Sequence, residues 1–277
     1  PAYGLLHIPL APSAAHDRNP FHHRLNDLTI ATLSKSLEQT FAVVPAAGSG
    51  VRMGLAHPKQ FHPLHGKPIL AWTLEVLRAL PFLHGIITVV PENALDSVAA
   101  LISSLGAEPA MTVVAGGARR QDSVLAGLQA LPGSCRWVLI HDGVRPMASS
   151  ELFFRTYEAA LRCGAAVCAC RVVETVKMTE EGWVQATLPR DQVWLAQTPQ
   201  VFRRDLLEKA FRQAQALGWD ATDDASLVER LGVRVAVVEG EKSNIKITTP
   251  DDLLWASWYL EHSPVVSASL RRQKESL

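Results

Sequence analysis

The chain has 277 residues, 48% of them hydrophobic, enough for a substantial core in one large domain or a domain with extensions. Its 27 Lys and Arg balance its 27 Asp and Glu, which removes any general electrostatic pull towards nucleic acid or an acidic membrane and leaves only local anion sites. No apolar run is long enough to span a bilayer. The four cysteines, Cys135, Cys163, Cys168 and Cys170, form no CxxC pair and have no histidines at zinc spacing. They are expected to be core or near-core thiols in a reducing cytoplasm.

Residues 1–40 carry prolines, scattered histidines (His7, His16, His22, His23) and no sustained period. They lack the pattern of a secretory signal and are expected to form a flexible extension, with Leu28–Leu37 a candidate short helix packed on the body. The body follows as one domain over 41–262, and 263–277 reads as a loose polar tail.

Phe41-Ala-Val-Val44 reads as a buried strand that Pro45 stops, because proline has no N–H for the ladder. Ala46, Ala47, Gly48, Ser49 and Gly50 follow, small enough for the backbone to approach a ligand closely. Arg52 and Lys59 flank this loop with fixed positive charge, which together with bare N–H groups suits a polyphosphate. No Gly-Lys-Ser/Thr ends the loop. The third glycine of a dinucleotide fingerprint is also out of place, since Met53 stands where it is needed. A tight strand-to-helix turn with stray charges is the plainer alternative.

Further strands are expected at Ile86–Val90, Met111–Val114, Trp137–Ile140, Ala165–Val173, Val193–Ala196 and Val233–Val238. Helices are expected between them at Ile69–Ala79, Ala94–Leu105, Gln121–Ala130, Ser150–Arg162, Arg204–Leu217, Asp224–Leu231 and Asp251–Tyr259. Such alternation predicts an α/β fold: a mostly parallel twisted sheet with helices on both faces and ligand loops along one sheet edge. One segment breaks the pattern. Residues 174–190 hold β-rich flanks around Glu180-Glu-Gly182, a hairpin signal. An isolated ribbon is barely stable, so it either lies on its own domain or reaches a second subunit.

Four stretches carry candidate chemistry. Asp142 and Arg145 directly follow the strand ending at Ile140, and Asp142 offers the hard oxygen that Mg²⁺ prefers; a turn held by an Asp–Arg salt bridge is the alternative. His141 is expected to be packed or hydrogen-bonded, without a catalytic role. Gly116 and Gly117 precede a helix whose first turn carries Arg119, Arg120 and Ser123. Basic residues oppose the dipole there, which makes sense if an anion occupies the helix start; Ser123 reads equally as a cap. Thr222 looks like an N-cap before acidic residues. Residues 239–249 form a strand-end loop leading into a short strand, with Lys246 on the face opposite Ile245 and Ile247.

Taken in order, PAAGSGVRMG…PKQF, GGARRQDSV, HDGVRP, ETVK, LPRDQVWLAQTPQVF, TDDASLVE and EGEKSNIKITTPDD resemble the 2-C-methyl-D-erythritol 4-phosphate cytidylyltransferases of the non-mevalonate isoprenoid pathway. The resemblance spans about Phe41 to Tyr259. It implies a single Rossmann-like nucleotidyltransferase domain with a β-hairpin dimerisation arm. It also implies cytidylyl transfer from CTP to 2-C-methyl-D-erythritol 4-phosphate, with a divalent cation, Mg²⁺, held by Asp142. Arg52 and Lys59 match the positions that stabilise charge on the α-phosphate and the leaving pyrophosphate. Ala46, Ala47, Gly117 and Ser123 match those that read cytosine and hold the ribose, Gly48 to Gly50 wrap the phosphates, and Arg120 and Asp142 belong to the same nucleotide site. Arg190 and Lys246 match the pair that positions the acceptor, with Thr175, Thr198 and Thr222 as its further contacts. The family's arm exchange implies a homodimer in which Thr175 and Arg190 serve the partner's site. Ser243 stands where some members have an acidic residue, so a second metal carboxylate is not expected. The nearest rival is a ribitol-5-phosphate cytidylyltransferase; a non-catalytic nucleotide-binding protein is the third reading.

Overall fold

The computed structural model describes residues 39–48, 50 and 58–262. The extension, its candidate helix, the tail, Ser49 and Arg52 lie outside the described residues. The first strand, β1 (Gln39–Pro45), starts two residues ahead of the expected one. A small ribbon, β2 (Pro63–Leu64) and β3 (Lys67–Pro68), leads into α1 (Ile69–Arg78). Then come β4 (Leu83–Val90), α2 (Leu95–Leu105), β5 (Ala110–Ala115), α3 (Arg120–Gln129), β6 (Cys135–Ile140), α4 (Ser150–Cys163) and β7 (Ala165–Arg171). The hairpin is β8 (Lys177–Glu180) and β9 (Trp183–Thr187). The chain closes with β10 (Trp194–Arg203), α5 (Arg204–Leu217), α6 (Asp224–Glu229), β11 (Ala236–Glu239) and α7 (Pro250–His262).

Seven strands form one sheet in the order β11-β7-β10-β6-β1-β4-β5. β1 runs parallel to β4 and β6, β4 to β5, and β11 to β7, whereas β10 is antiparallel to both its neighbours. Two antiparallel steps restore direction, so every strand but β10 ends on the same sheet edge. The loops after β1, β5, β6 and β11 therefore meet there. That convergence follows from the crossovers rather than from any side chain.

The apolar runs bury as their composition demands. Val43, Val138 and Phe202 from the sheet pack with Val124, Leu128, Leu207, Phe211, Leu227 and Val228 from α3, α5 and α6. A second cluster joins Ile69 and Trp72 of α1 to Val144, Ile247, Ala256 and Leu260, and so seats α7 beside the ligand edge. Burying each of these large side chains stabilises the fold by about 1.5–3 kcal/mol.

Three expectations need correcting. The short strand around Lys246 does not form: no neighbouring strand accepts it, and a single backbone bond from Ile247 to the Val144 carbonyl (3.0 Å) ties it down. The side-chain alternation survives all the same, because Ile245 and Ile247 pack inward. The expected strand Val193–Ala196 is the start of the longer β10, in which a register shift between Ala196 and Gln200 absorbs the cis Thr198–Pro199 unit. The cap of α6 is Asp223, whose side chain accepts from the Ser226 N–H, and not Thr222.

Candidate active site

The small-residue loop after β1 is closed by a side chain the sequence reading did not single out. Gln60 is buried and donates from Nε2 to the Ala46 carbonyl (2.6 Å) and the Gly48 carbonyl (3.1 Å). It thereby ties the backbone at Ala46 to that at Gly48. The neighbouring loop comes equally close. A Cβ on Gly116 would lie 2.5 Å from the Ala47 Cβ, and one on Gly117 would lie 2.4 Å from the Asp122 Cβ. No larger residue fits these positions without displacing the loop.

Asp142 sits at the centre, only 5% exposed. Arg120 Nε lies 3.2 Å from its Oδ1; Arg145 Nε and Lys246 Nζ lie 3.2 and 3.1 Å from its Oδ2. Burial by itself would raise the carboxyl's pKa; Arg120, Lys246 and Arg145 outweigh that and hold it well below the ordinary value. The three cations thus favour the ionised form of Asp142. Arg145 is itself anchored, donating from Nη1 to the Asn244 carbonyl (2.7 Å). The Asp–Arg salt bridge raised for this stretch is present, and Asp142 itself lines a cleft.

Behind Asp142 the polar groups form a chain whose proton positions can be derived. His141 Nε2 is 3.0 Å from the Arg145 carbonyl, which can only accept, so that nitrogen carries the proton. Nδ1, 3.1 Å from Thr198 Oγ1, then accepts from the hydroxyl. The hydroxyl oxygen in turn accepts the Asp142 N–H at 3.0 Å. Burial lowers the His141 pKa to about 4, so the neutral form persists. Asn244 Nδ2 closes the arrangement on the Thr198 carbonyl (2.8 Å). Thr198, a candidate acceptor contact, thus lies behind the cleft wall as a strut under Asp142.

The first turn of α3 also differs from the simple picture of bare cations awaiting an anion. Arg119 pairs with Asp122 (2.6 Å) and Asp220 (3.4 Å), and Arg120 pairs with Asp142 and, at 2.8 Å, with Asp224. Carboxylates of the chain itself answer both charges. Ser123 does not cap the helix; its hydroxyl donates back to the Arg119 carbonyl (3.2 Å). Burial pushes the Asp224 carboxyl up, and the Arg120 guanidinium offsets only part of that.

These elements enclose a cleft of about 310 Å³ lined by Ala46, Ala47, Gly48, Gly50, Lys59, Gly117, Arg120, Ser123, Asp142 and Lys246. The structure adds Gln60, Arg119, Val144 and Thr248 to that lining. Thr175 and Arg190 lie elsewhere, exposed at the base of the hairpin, where Arg190 Nη1 donates to the Val173 carbonyl (3.2 Å). Thr222 is exposed in the turn before α6 and is outside the lining. Lys59 is buried at the mouth of the loop beside Gly50, whose added Cβ would meet the Lys59 N at 2.9 Å.

Among the described residues no group of three or more His, Cys, Asp or Glu is placed to hold a metal ion. A single ionised carboxylate in a cleft wide enough for phosphates nevertheless fits Mg²⁺, which keeps most of its shell from water and substrate oxygens. It does not fit a closed all-protein site.

Residues 40–262 match the family profile of IspD, 2-C-methyl-D-erythritol 4-phosphate cytidylyltransferase. The chain is 44% identical over 222 residues to the 2-C-methyl-D-erythritol 4-phosphate cytidylyltransferase of Syntrophus aciditrophicus, covering 79% of this chain and 95% of that protein. It is also 44% identical over 218 residues to the bifunctional enzyme IspD/IspF of Desulfotalea psychrophila, covering 79% of this chain; it spans only 56% of that protein's length. The crystal structure of the 4-diphosphocytidyl-2C-methyl-D-erythritol synthase from Anaerococcus prevotii superposes with a TM-score of 0.73 at 33% identity, covering 82% of this chain and all of the other.

Proposed function

The chain belongs to the 2-C-methyl-D-erythritol 4-phosphate cytidylyltransferase family, and from that premise we propose that it transfers the cytidylyl group of CTP to 2-C-methyl-D-erythritol 4-phosphate. A phosphate oxygen of the acceptor attacks the α-phosphorus of CTP. The bond to the β-phosphate oxygen breaks, and 4-diphosphocytidyl-2-C-methyl-D-erythritol and pyrophosphate form. The observation that carries this reading is the convergence of Lys59, Arg120, Arg145 and Lys246 around or beside one anionic carboxylate, under a loop of small residues.

The chemistry needs positioning and charge stabilisation rather than a nucleophile. Ala46, held by Gln60, and Ala47 leave room for a pyrimidine ring against Gly117 and Ser123, and Gly48 and Gly50 line the part of the cleft that takes the phosphates. Lys59, at the cleft, meets the charge that builds on the α-phosphate, and the family resemblance gives Arg52 the same role. Asp142 is the residue that would hold Mg²⁺, which neutralises phosphate charge when bound. Lys246 has the most exposed side chain of the three cations on Asp142 and is the one able to turn to the acceptor phosphate. Thr222 and, from the hairpin of a second subunit, Thr175 and Arg190 complete the acceptor side, so the working unit is a homodimer. The four cysteines are free thiols, which suits the cytoplasm.

The test is pyrophosphate release measured over several nucleotides and polyol phosphates with Mg²⁺. Turnover is expected with CTP and methylerythritol phosphate. Preference for ribitol 5-phosphate would overturn the acceptor assignment, and CTP binding without pyrophosphate release would overturn the enzymatic one.

A further inference from the structure

Asp224 has no part in the reaction set out above, yet it is among the most buried charges described, at 1% exposure. Its place is set from the sheet. Gln200 on β10 is likewise buried; its Nε2 donates to Asp223 Oδ2 (2.9 Å) and its Oε1 accepts the Ala225 N–H (3.0 Å). Asp223 caps the same turn. The Asp224 carboxylate is thus pinned on both sides along the chain and presents Oδ2 to Arg120 Nη1 at 2.8 Å, as an ion pair whose N–H does not point along the line to the oxygen. The other edge of the guanidinium, Nε, reaches Asp142. Arg120 is therefore suspended between two carboxylates, one in the cleft and one behind it.

That suspension matters when Asp142 changes partners. In the free protein Asp142 is shared by Arg120, Arg145 and Lys246. A metal-bound triphosphate that draws on Asp142 weakens its hold on each. Arg145 keeps a second anchor in the Asn244 carbonyl. The second anchor of Arg120 is Asp224. A bare Arg120 would collapse onto Asp142 as a full bidentate pair, the geometry guanidinium and carboxylate prefer, and would compete with the metal.

We infer that Asp224 is a positioning residue for nucleotide binding: it tethers Arg120 from behind, so that the guanidinium stays on the cleft wall and Asp142 is released to the metal-bound triphosphate. The inference rests on the cytidylyltransferase reading for the identity of the nucleotide and the metal.

The experiment is an equilibrium titration of CTP at several Mg²⁺ concentrations, with thermal unfolding alongside, on the wild-type chain, Asp224→Asn, Arg120→Ala and the double variant. Asp224→Asn is expected to weaken CTP binding about tenfold and to move its Mg²⁺ dependence to higher concentration, because Asp142 is then held by Arg120. In the Arg120→Ala background the same substitution costs no further CTP affinity. There it raises the unfolding midpoint, since it removes a buried carboxylate left without its partner. CTP binding by Asp224→Asn equal to wild type, or an equal loss with and without Arg120, overturns the tether. If Asp224→Asn does not fold, the comparison of Arg120→Ala with the double variant decides, and a lower midpoint for the double variant overturns it. Failure of the proposed function shows separately, in the wild-type turnover assay.

Discussion

The cleft and the hairpin satisfy their side chains in opposite ways. At the cleft, buried and half-buried polar groups find partners within the chain: Asp142 in Arg120, Arg145 and Lys246, the Asn244 Nδ2 in the Thr198 carbonyl, the Gln60 Nε2 in the Ala46 and Gly48 carbonyls. The hairpin pairs only with itself among the described residues, and its apolar side chains stand in solvent, Trp183 76% and Val184 61% exposed. A two-stranded ribbon with an exposed Trp is a poor unit by itself. The charges at the cleft find partners within the chain, whereas the arm leaves a patch of apolar surface exposed, the kind of surface an interaction site presents.

That contrast can be broken from the cleft side first. Asp142→Ala leaves Arg120, Arg145 and Lys246 clustered without their shared anion. It is expected to lower stability by about 3–5 kcal/mol, the usual loss when one member of a buried ion pair is removed, and to abolish turnover; chemical denaturation and the pyrophosphate assay measure the two effects. Lys59→Ala should leave the fold intact and reduce kcat by about 10²–10³-fold, the range for losing one preorganised charge donor. Its CTP affinity should fall much less, because the charge matters most when the α-phosphate becomes five-coordinate. Equal losses in kcat and affinity would remove Lys59 from its assigned role.

The arm side gives smaller effects of another kind. Arg190→Ala should raise the acceptor KM by about tenfold with little change in CTP affinity. Subunits carrying it, mixed with Lys59→Ala subunits, should regain activity, since one mixed arrangement contains an intact site. Absence of recovery places Arg190 within its own subunit's site. Trp183→Ser should lower the association constant of the chain by about tenfold, as loss of an interface aromatic does, and leave the unfolding midpoint of the separated subunit within a degree or so. Sedimentation and thermal unfolding distinguish the two readouts. A Trp183→Ser chain that associates normally would place the hairpin outside any subunit interface.

The alternation of apolar strands with amphipathic helices was legible because each period is local: β4, β6, α4 and α5 lie within a few residues of where the pattern puts them. The hairpin turn was legible for the same reason, Glu181 and Gly182 both taking positive φ (49° and 86°) as the Glu-Gly pair suggests. β10 was only half legible, since Pro199 interrupts its apolar run and its direction is set by neighbours far away in sequence. Of the site, residues on loops after strands could be named from position and charge. Gln60, Thr198 and Asp224 could not be given their places that way, because a glutamine under a loop, a threonine behind an aspartate and an acidic residue in a helix's first turn each have an ordinary local explanation.

Local pattern determined that this chain makes an α/β sheet, that small and basic residues follow its strands, and that one aspartate stands at a strand end. What only the tertiary structure decided is who faces whom: that Asp142 is shared by cations from the start of α3, from its own loop and from the loop after β11, and that Arg120 hangs between two carboxylates. Spacing along a chain constrains neighbours within a turn or a pleat. Contacts across 22 residues of sequence (Arg120 to Asp142) and across 104 (Asp142 to Lys246, and Arg120 to Asp224) exist only once parallel crossovers have brought the strand ends to one edge.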